Sequence, residues 1–414
     1  MSTRFLAVGR QCMLLASLLA APVGAQSARP LPVLRATSKL IDIRDGDRYL
    51  RQEWAIDPAT ALDVYDVERS TSAKTVSFIS DIDSITFTVE PRRTYDFAIV
   101  YNGKDTCRTR ISSLISGAER VSAAAPFAPT IIPISIVRGK LHLHATVNGS
   151  KTLDLIFDTG SSANWLFRPA MNKGAGLTFD GVAQSVGMGG AVSSRRSNNN
   201  RLRIEGLQWE HEPFLFTEKV GAHREDGIIG YTVFANKVVE IDYDRMVMVI
   251  HDALPSRAVT FSRIPMTSVG QLTAVEVGFS GSGTRAHGQF ILDAAAGGAL
   301  NMNTGFAKSH GFPGALNVIG RSASSGFGSG TRSNVVVEIP ELTIAGFTLT
   351  DVPVHVEVRA AFAESAAHGG TLNMEILRRF NTMFDYAHRT AYFKPNGQFK
   401  KPFQSKGMLA SWIR

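Results

Sequence analysis

Residues 153–162 read Leu-Asp-Leu-Ile-Phe-Asp-Thr-Gly-Ser-Ser. An apolar run of this length predicts a buried strand, and it delivers a carboxylate, Asp158, to the strand's end. Gly160 permits the tight turn that leaves that carboxylate at a loop tip. The same pattern returns later as Gln289-Phe290-Ile291-Leu292-Asp293.

The two runs belong to a longer internal repeat. Ile132-Pro133-Ile134 opens one copy and Ile264-Pro265-Met266 opens the other, at nearly equal distances from Asp158 and Asp293. Downstream, Val239-Glu240-Ile241-Asp242-Tyr243 matches Thr382-Met383-Phe384-Asp385-Tyr386. Two copies sharing one order of landmarks imply duplication with pseudo-twofold symmetry, and two copies are too few for a solenoid. With the lobes facing each other about such an axis, the two carboxylates meet. Like charges that close share one proton. The ionised member is then a general base for a water, and the protonated member polarises a carbonyl and protonates a leaving nitrogen.

At this point the chain resembles the pepsin/retropepsin aspartic proteases, over about residues 130–398. The resemblance rests on the apolar-Asp-Thr-Gly-Ser run at 156–161 and on Gly227-Ile228-Ile229-Gly230, which is similar to the family's apolar-apolar-Gly motif. Ile241-Asp242-Tyr243 and Phe384-Asp385-Tyr386 resemble the strand that closes each lobe. Ser185-Val186-Gly187-Met188-Gly189-Gly190 resembles a Gly-rich flap tip, with Met188, Gly189 and Gly190 as candidate substrate contacts. The resemblance implies an all-β, bilobal fold of duplicated β-barrel lobes. It also implies a peptide or protein substrate, Asp158 and Asp293 as the catalytic pair with Thr159 and Gly160 supporting the first loop, and neither metal nor other cofactor.

The second copy departs from the pattern. It reads Asp293-Ala294-Ala295-Ala296-Gly297-Gly298 where the family has Asp-Thr/Ser-Gly. The family's Thr hydroxyls cross-link the two loops; Thr159 is kept, but Ala294 has no hydroxyl, so half of that brace is missing. Ala295 stands where Gly is usual. The second apolar-apolar-Gly position reads Thr371-Leu372-Asn373, and Asn tolerates left-handed backbone. An alternative to the endopeptidase is therefore a catalytically impaired peptide-binding module.

Outside the repeat, residues 1–25 carry a secretory signal pattern: Arg4 and Arg10, the apolar stretch Met13–Ala20, and small residues Val23-Gly24-Ala25 before a mature start at Gln26. The expected fate is export, to a periplasmic, cell-surface or secreted location. Of the 2 Cys, Cys12 leaves with the signal and Cys107 is read as a half-buried strand residue. Residues 26–125 read as an extra N-terminal β domain. Ser84–Val89 alternates polar and apolar, Tyr95, Phe97 and Ile99 continue the alternation, and Asp45-Gly46 and Asn102-Gly103 are hairpin dipeptides. Ser116–Pro129 reads as a linker, 126–255 and 256–400 as the two lobes, and 401–414 as a basic tail.

The 414 residues suit two or three domains, and 44% hydrophobic with 19% charged residues excludes general disorder. The formal charge is +8, but no Lys/Arg stripe is interleaved with aromatics, so a nucleic-acid partner is not expected. No segment after the signal is long and apolar enough to span a membrane, and a monomer is expected. His142 and His144 read as satisfied or solvent-facing histidines and not as metal ligands. His211-Glu212 is no zinc motif, because Leu215 stands where the second His is required. No G-x-S-x-G is present, which excludes a serine hydrolase elbow. Asn148-Gly149-Ser150 fits a glycosylation sequon but reads as a hairpin turn.

Overall fold

In the computed structural model, residues 30–404 are described apart from 60–61, 71, 116, 122–127, 188–189, 219–223, 282, 315, 326–330 and 360–367. The signal pattern, Met188 and Gly189 of the candidate flap, and residues 405–414 of the basic tail thus lie outside the described residues. The described chain is almost entirely β.

The repeat seen in the sequence is a repeat of strand order. The first large sheet runs Ser135–Val137, Lys140–Val147, Leu153–Asp158, Gly227–Gly230, Trp165–Phe167, Leu207–Thr217, Gly190–Ile204, Gly181–Gly187. The second runs Thr267–Val269, Leu272–Gly281, Thr284–Asp293, Gly370–Asn373, Leu300–Met302, Phe347–Arg359, Thr331–Ile344, Asn317–Ser325. Each strand of one has its counterpart at the same place in the other. In both, the Asp-bearing strand pairs in parallel with the strand of the apolar-apolar-Gly position: Asp158 faces Gly230, and Asp293 faces Asn373.

Ile241-Asp242 and Phe384-Asp385 lie in strands that do more than close their own lobes. Val238–Asp242 and Phe380–Asp385 pair with each other, antiparallel, in the middle of a six-stranded sheet. One strand from each copy meets at this pair, so the join between the lobes is a hydrogen-bonded ladder. A single apolar core runs through both lobes, with Phe157, Trp209 and Phe234 from the first and Phe290, Leu292 and Phe380 from the second. Fully burying side chains of this size is worth roughly 1.5–3 kcal/mol each.

Residues 33–112 form two four-stranded sheets. One joins Val33–Ala36, Thr94–Tyr101, Asp105–Ser112 and Asp63–Asp66; the other joins Arg48–Ala55, Leu40–Asp45, Lys74–Ile79 and Ser84–Val89. They enclose a separate core that includes Ile43, Val76, Phe78, Phe97 and Ile99, with the Phe78 and Phe97 rings 4.9 Å apart. Alternation explains the faces: Ser84–Val89 leaves its Ser and Thr side chains exposed while Val89 is buried. At the hairpin dipeptide Asn102-Gly103 both residues have positive φ, 51° and 67°, the geometry that matches the twist of the flanking strands. Asn148-Gly149 makes the same turn, at φ 52° and 80°.

Two expectations change. Glu119 and Arg120, inside the stretch read as linker, pair with Gln208 and Leu207. Ala/Pro/Ser composition around them suggests a tether, but backbone pairing to a sheet edge does not depend on composition. Cys107 is fully buried rather than half-buried, and burial pushes its thiol up to about 11. Among the described residues no helix is long and apolar enough to cross a membrane.

Candidate active site

Asp158 and Asp293 end equivalent strands, and both half-buried side chains converge on Gly160. A methyl group built on Gly160 would lie 3.1 Å from Asp293 Cγ and 3.3 Å from Asp158 Oδ1. Gly160 is needed here for space, since its φ is not positive. The expectation of a glycine-specific turn is thus replaced by one of close approach. Each carboxylate is held by its own loop: Gly160 N–H donates to Asp158 Oδ1 at 2.8 Å, and Ala295 N–H donates to Asp293 Oδ1 at 3.0 Å.

Thr159 ties the loops together. Its side chain is fully buried, its hydroxyl donates to the Leu292 carbonyl at 2.9 Å, and the same oxygen accepts the Ala294 N–H at 2.9 Å. Ala294 is buried and offers no hydroxyl in return. A further bond links the copies, from Leu141 N–H to the Ala294 carbonyl at 3.1 Å.

The altered second loop is braced by other means. Ala295 packs against an apolar cluster of the first lobe that includes Ile156, Trp165 and Ile228, and its backbone is not left-handed. Asn373 is also not left-handed: its φ is −102°. The expectation that Asn serves there by tolerating αL gives way to a side-chain role. Asn373 Nδ2 donates to the Gly297 carbonyl at 3.3 Å, and its Oδ1 accepts the Thr371 hydroxyl at 2.7 Å. At the equivalent Gly230 a Cβ would sit 2.6 Å from the Ser161 carbonyl oxygen, so the first copy has no room for a side chain.

Burial raises the Asp158 carboxyl above its ordinary range, and the neighbouring Asp293 charge raises it further; the Gly160 N–H and Lys140 oppose this. Asp293 is raised by burial, against the N–H groups of Ala295 and Ala296 and against Lys140. Lys140 therefore acts on both carboxylates. It also pairs with Glu225 at 3.7 Å. Its position at the start of the strand that precedes Leu153–Asp158 gives no sequence signal of this.

The remaining candidates sort as follows. Gly181–Gly187 and Gly190–Ile204 form a hairpin in which Gly187 faces Gly190, with Met188 and Gly189 outside the described residues. His142 is buried with Nδ1 2.8 Å from Asp154 Oδ1, while His144 is exposed. Glu212 is buried in an ion pair with Arg69. Among the described residues no group of three or more His, Cys, Asp or Glu is arranged to hold a metal ion. Sequence reading missed Asn164, whose side chain accepts the Gly230 N–H at 3.0 Å and donates to Glu212 at 2.8 Å.

Residues 143–233 match the sequence model of a family described as aspartyl protease. The matched span holds Asp158, Thr159, Gly160 and the Gly227–Gly230 strand, and it supports the resemblance to pepsin/retropepsin-like enzymes. Among solved structures, the aspartic proteinase from Irpex lacteus is similar at 12% identity and a TM-score of 0.46, over 66% of this chain and 99% of that one. No curated protein sequence matches the chain.

Proposed function

We propose that the chain is an aspartic-type endopeptidase in which Asp158 and Asp293 activate a water between them. The observation that carries this reading is the convergence of both carboxylates on Gly160, fixed by the Thr159 hydroxyl bonded to the loop of the other copy. Two carboxyls that share a partly buried site hold one proton between them. The ionised member takes a proton from water as it attacks the peptide carbonyl. The protonated member donates a hydrogen bond to the carbonyl oxygen and then protonates the leaving nitrogen. The pair titrates as a unit, so neither role is fixed to one residue.

The hairpin of Gly181–Gly187 and Gly190–Ile204 is read as the flap over a bound peptide, and Met188, Gly189 and Gly190 of the sequence as its substrate contacts. The signal pattern at 1–25 supports export, and the two lobes supplied by one chain support action as a monomer. Incubating the mature chain with a mixed peptide library and reading products by mass spectrometry tests the proposal. Internal cleavage products are expected. Peptide retention without any fragments would favour the binding module that Ala294 raises.

A further inference from the structure

We propose that Arg69, carried by the N-terminal β domain, is a positioning residue for the Asp158 loop, which makes that domain part of the support of the site. The proposal rests on the protease reading for its kinetic consequence. Its structural basis is independent of that reading.

Arg69 follows the edge strand Asp63–Asp66, and its side chain is only 7% exposed. Its Nη2 donates to both carboxylate oxygens of Glu212, at 2.8 and 2.7 Å, and its Nε donates to the Thr232 carbonyl at 3.0 Å. From these two acceptors, two routes lead to the loop that follows Asp158. In the first, Glu212 Oε1 accepts from Asn164 Nδ2 at 2.8 Å, and Asn164 Oδ1 accepts the N–H of Gly230, the residue paired with Asp158. In the second, the Thr232 hydroxyl donates to the Ser162 carbonyl at 2.8 Å. One guanidinium thus holds both sides of the loop 158–164.

The same segment of the N-terminal domain touches the flap-like hairpin. Arg196, buried on the strand Gly190–Ile204, pairs with Asp66 and donates to the Val64 carbonyl at 3.2 Å. Arg48 reaches the second lobe, donating to the Gly270 carbonyl at 3.2 Å. Two arginine-carboxylate pairs, Arg69–Glu212 and Arg196–Asp66, thus tie this segment to the first lobe. Buried ion pairs add little net stability against an apolar alternative. What the planar guanidinium does supply is direction, because its donors are fixed in a rigid fork.

The test uses the full mature chain. Arg69→Met alone would strand a buried Glu212 charge, so the informative variant is the double Arg69→Met/Glu212→Gln, in which residue 212 still accepts from Asn164. Arg69→Lys, which keeps the charge without the fork, is the second variant. In folded protein we expect kcat to fall about tenfold or more with KM changed little, since small misplacements of a reacting group cost rate before binding. Amide hydrogen exchange should quicken in peptides covering 158–164 and 227–232 while the strand Lys74–Ile79 keeps its protection. Wild-type kcat and wild-type exchange at 158–164 in both variants would overturn the proposal. So would faster exchange spread evenly over the chain, which marks a general loss of stability. If the wild-type chain cleaves nothing, the protease reading fails by itself, and exchange at 158–164 still decides whether Arg69 holds the loop.

Discussion

The hydroxyl of Thr159 accepts the N–H of Ala294 at 2.9 Å, and this bond crosses from one copy of the repeat to the other. With its second bond to the Leu292 carbonyl, it makes Thr159 the only hydroxyl joining the two Asp loops among the described residues. The two copies offer equivalent positions here, and of the two only Thr159 carries a hydroxyl.

Thr159→Ala should therefore be costly. It leaves a buried carbonyl and a buried N–H without partners, at about 1–3 kcal/mol for each group. Thr159→Ser keeps the oxygen and should lose much less. Denaturant midpoints of the two variants measured together check this. Equal midpoints would show that the cross-link contributes nothing.

Gly160→Ala should lower kcat by about tenfold or more while leaving most of the stability. The added methyl would meet Asp293 Cγ at 3.1 Å and Asp158 Oδ1 at 3.3 Å. Contacts this short make the carboxylates give by a few tenths of an ångström, and misplacing a reacting group costs rate steeply, about a hundredfold at about 1 Å. At the equivalent place in the second copy, Ala295→Gly should change kcat by less than about threefold, because only methyl packing is lost there. Steady-state kinetics on one cleaved peptide separates the two.

The Asp pair predicts a pH-dependent stability with a definite sign. Both carboxyls are raised in the folded chain by burial. A group raised in this way contributes stability that is complete below its unfolded value, about 4. That contribution is lost as pH climbs through the folded value. The midpoint difference between wild type and Asp158→Asn should thus shift against the wild type as pH rises from about 4. A difference that does not vary with pH would show that the carboxyls are not raised.

Lys140 opposes the rise at both carboxyls. Removing its charge in Lys140→Met should move both limbs of the kcat/KM profile to higher pH. A profile shifted downward, or unmoved, would mean that Lys140 does not act on the pair.

Much of this arrangement was legible in the sequence because it is written locally. The Leu153–Asp158 strand, its Gly160 turn and the copy ending at Asp293 each fall within about ten residues, and Asn102-Gly103 names its own hairpin. The braces of the second loop were not legible. Asn373 supports the second loop through Gly297, and Ala295 packs on an apolar cluster of the other lobe, so both depend on tertiary neighbours far away in the chain. Arg69 and Glu212 are 143 residues apart and make a buried pair; nothing in the periodicity around either announces it. Sequence offered the candidate carboxylates, whereas the partners that orient them emerge only once the chain is folded.

The most direct test of the account is turnover of a library-selected peptide by Asp158→Asn and by Asp293→Asn, each checked for native folding by circular dichroism. The shared-proton site predicts that either substitution alone abolishes cleavage in a folded protein. Cleavage at the wild-type rate by either variant would contradict it.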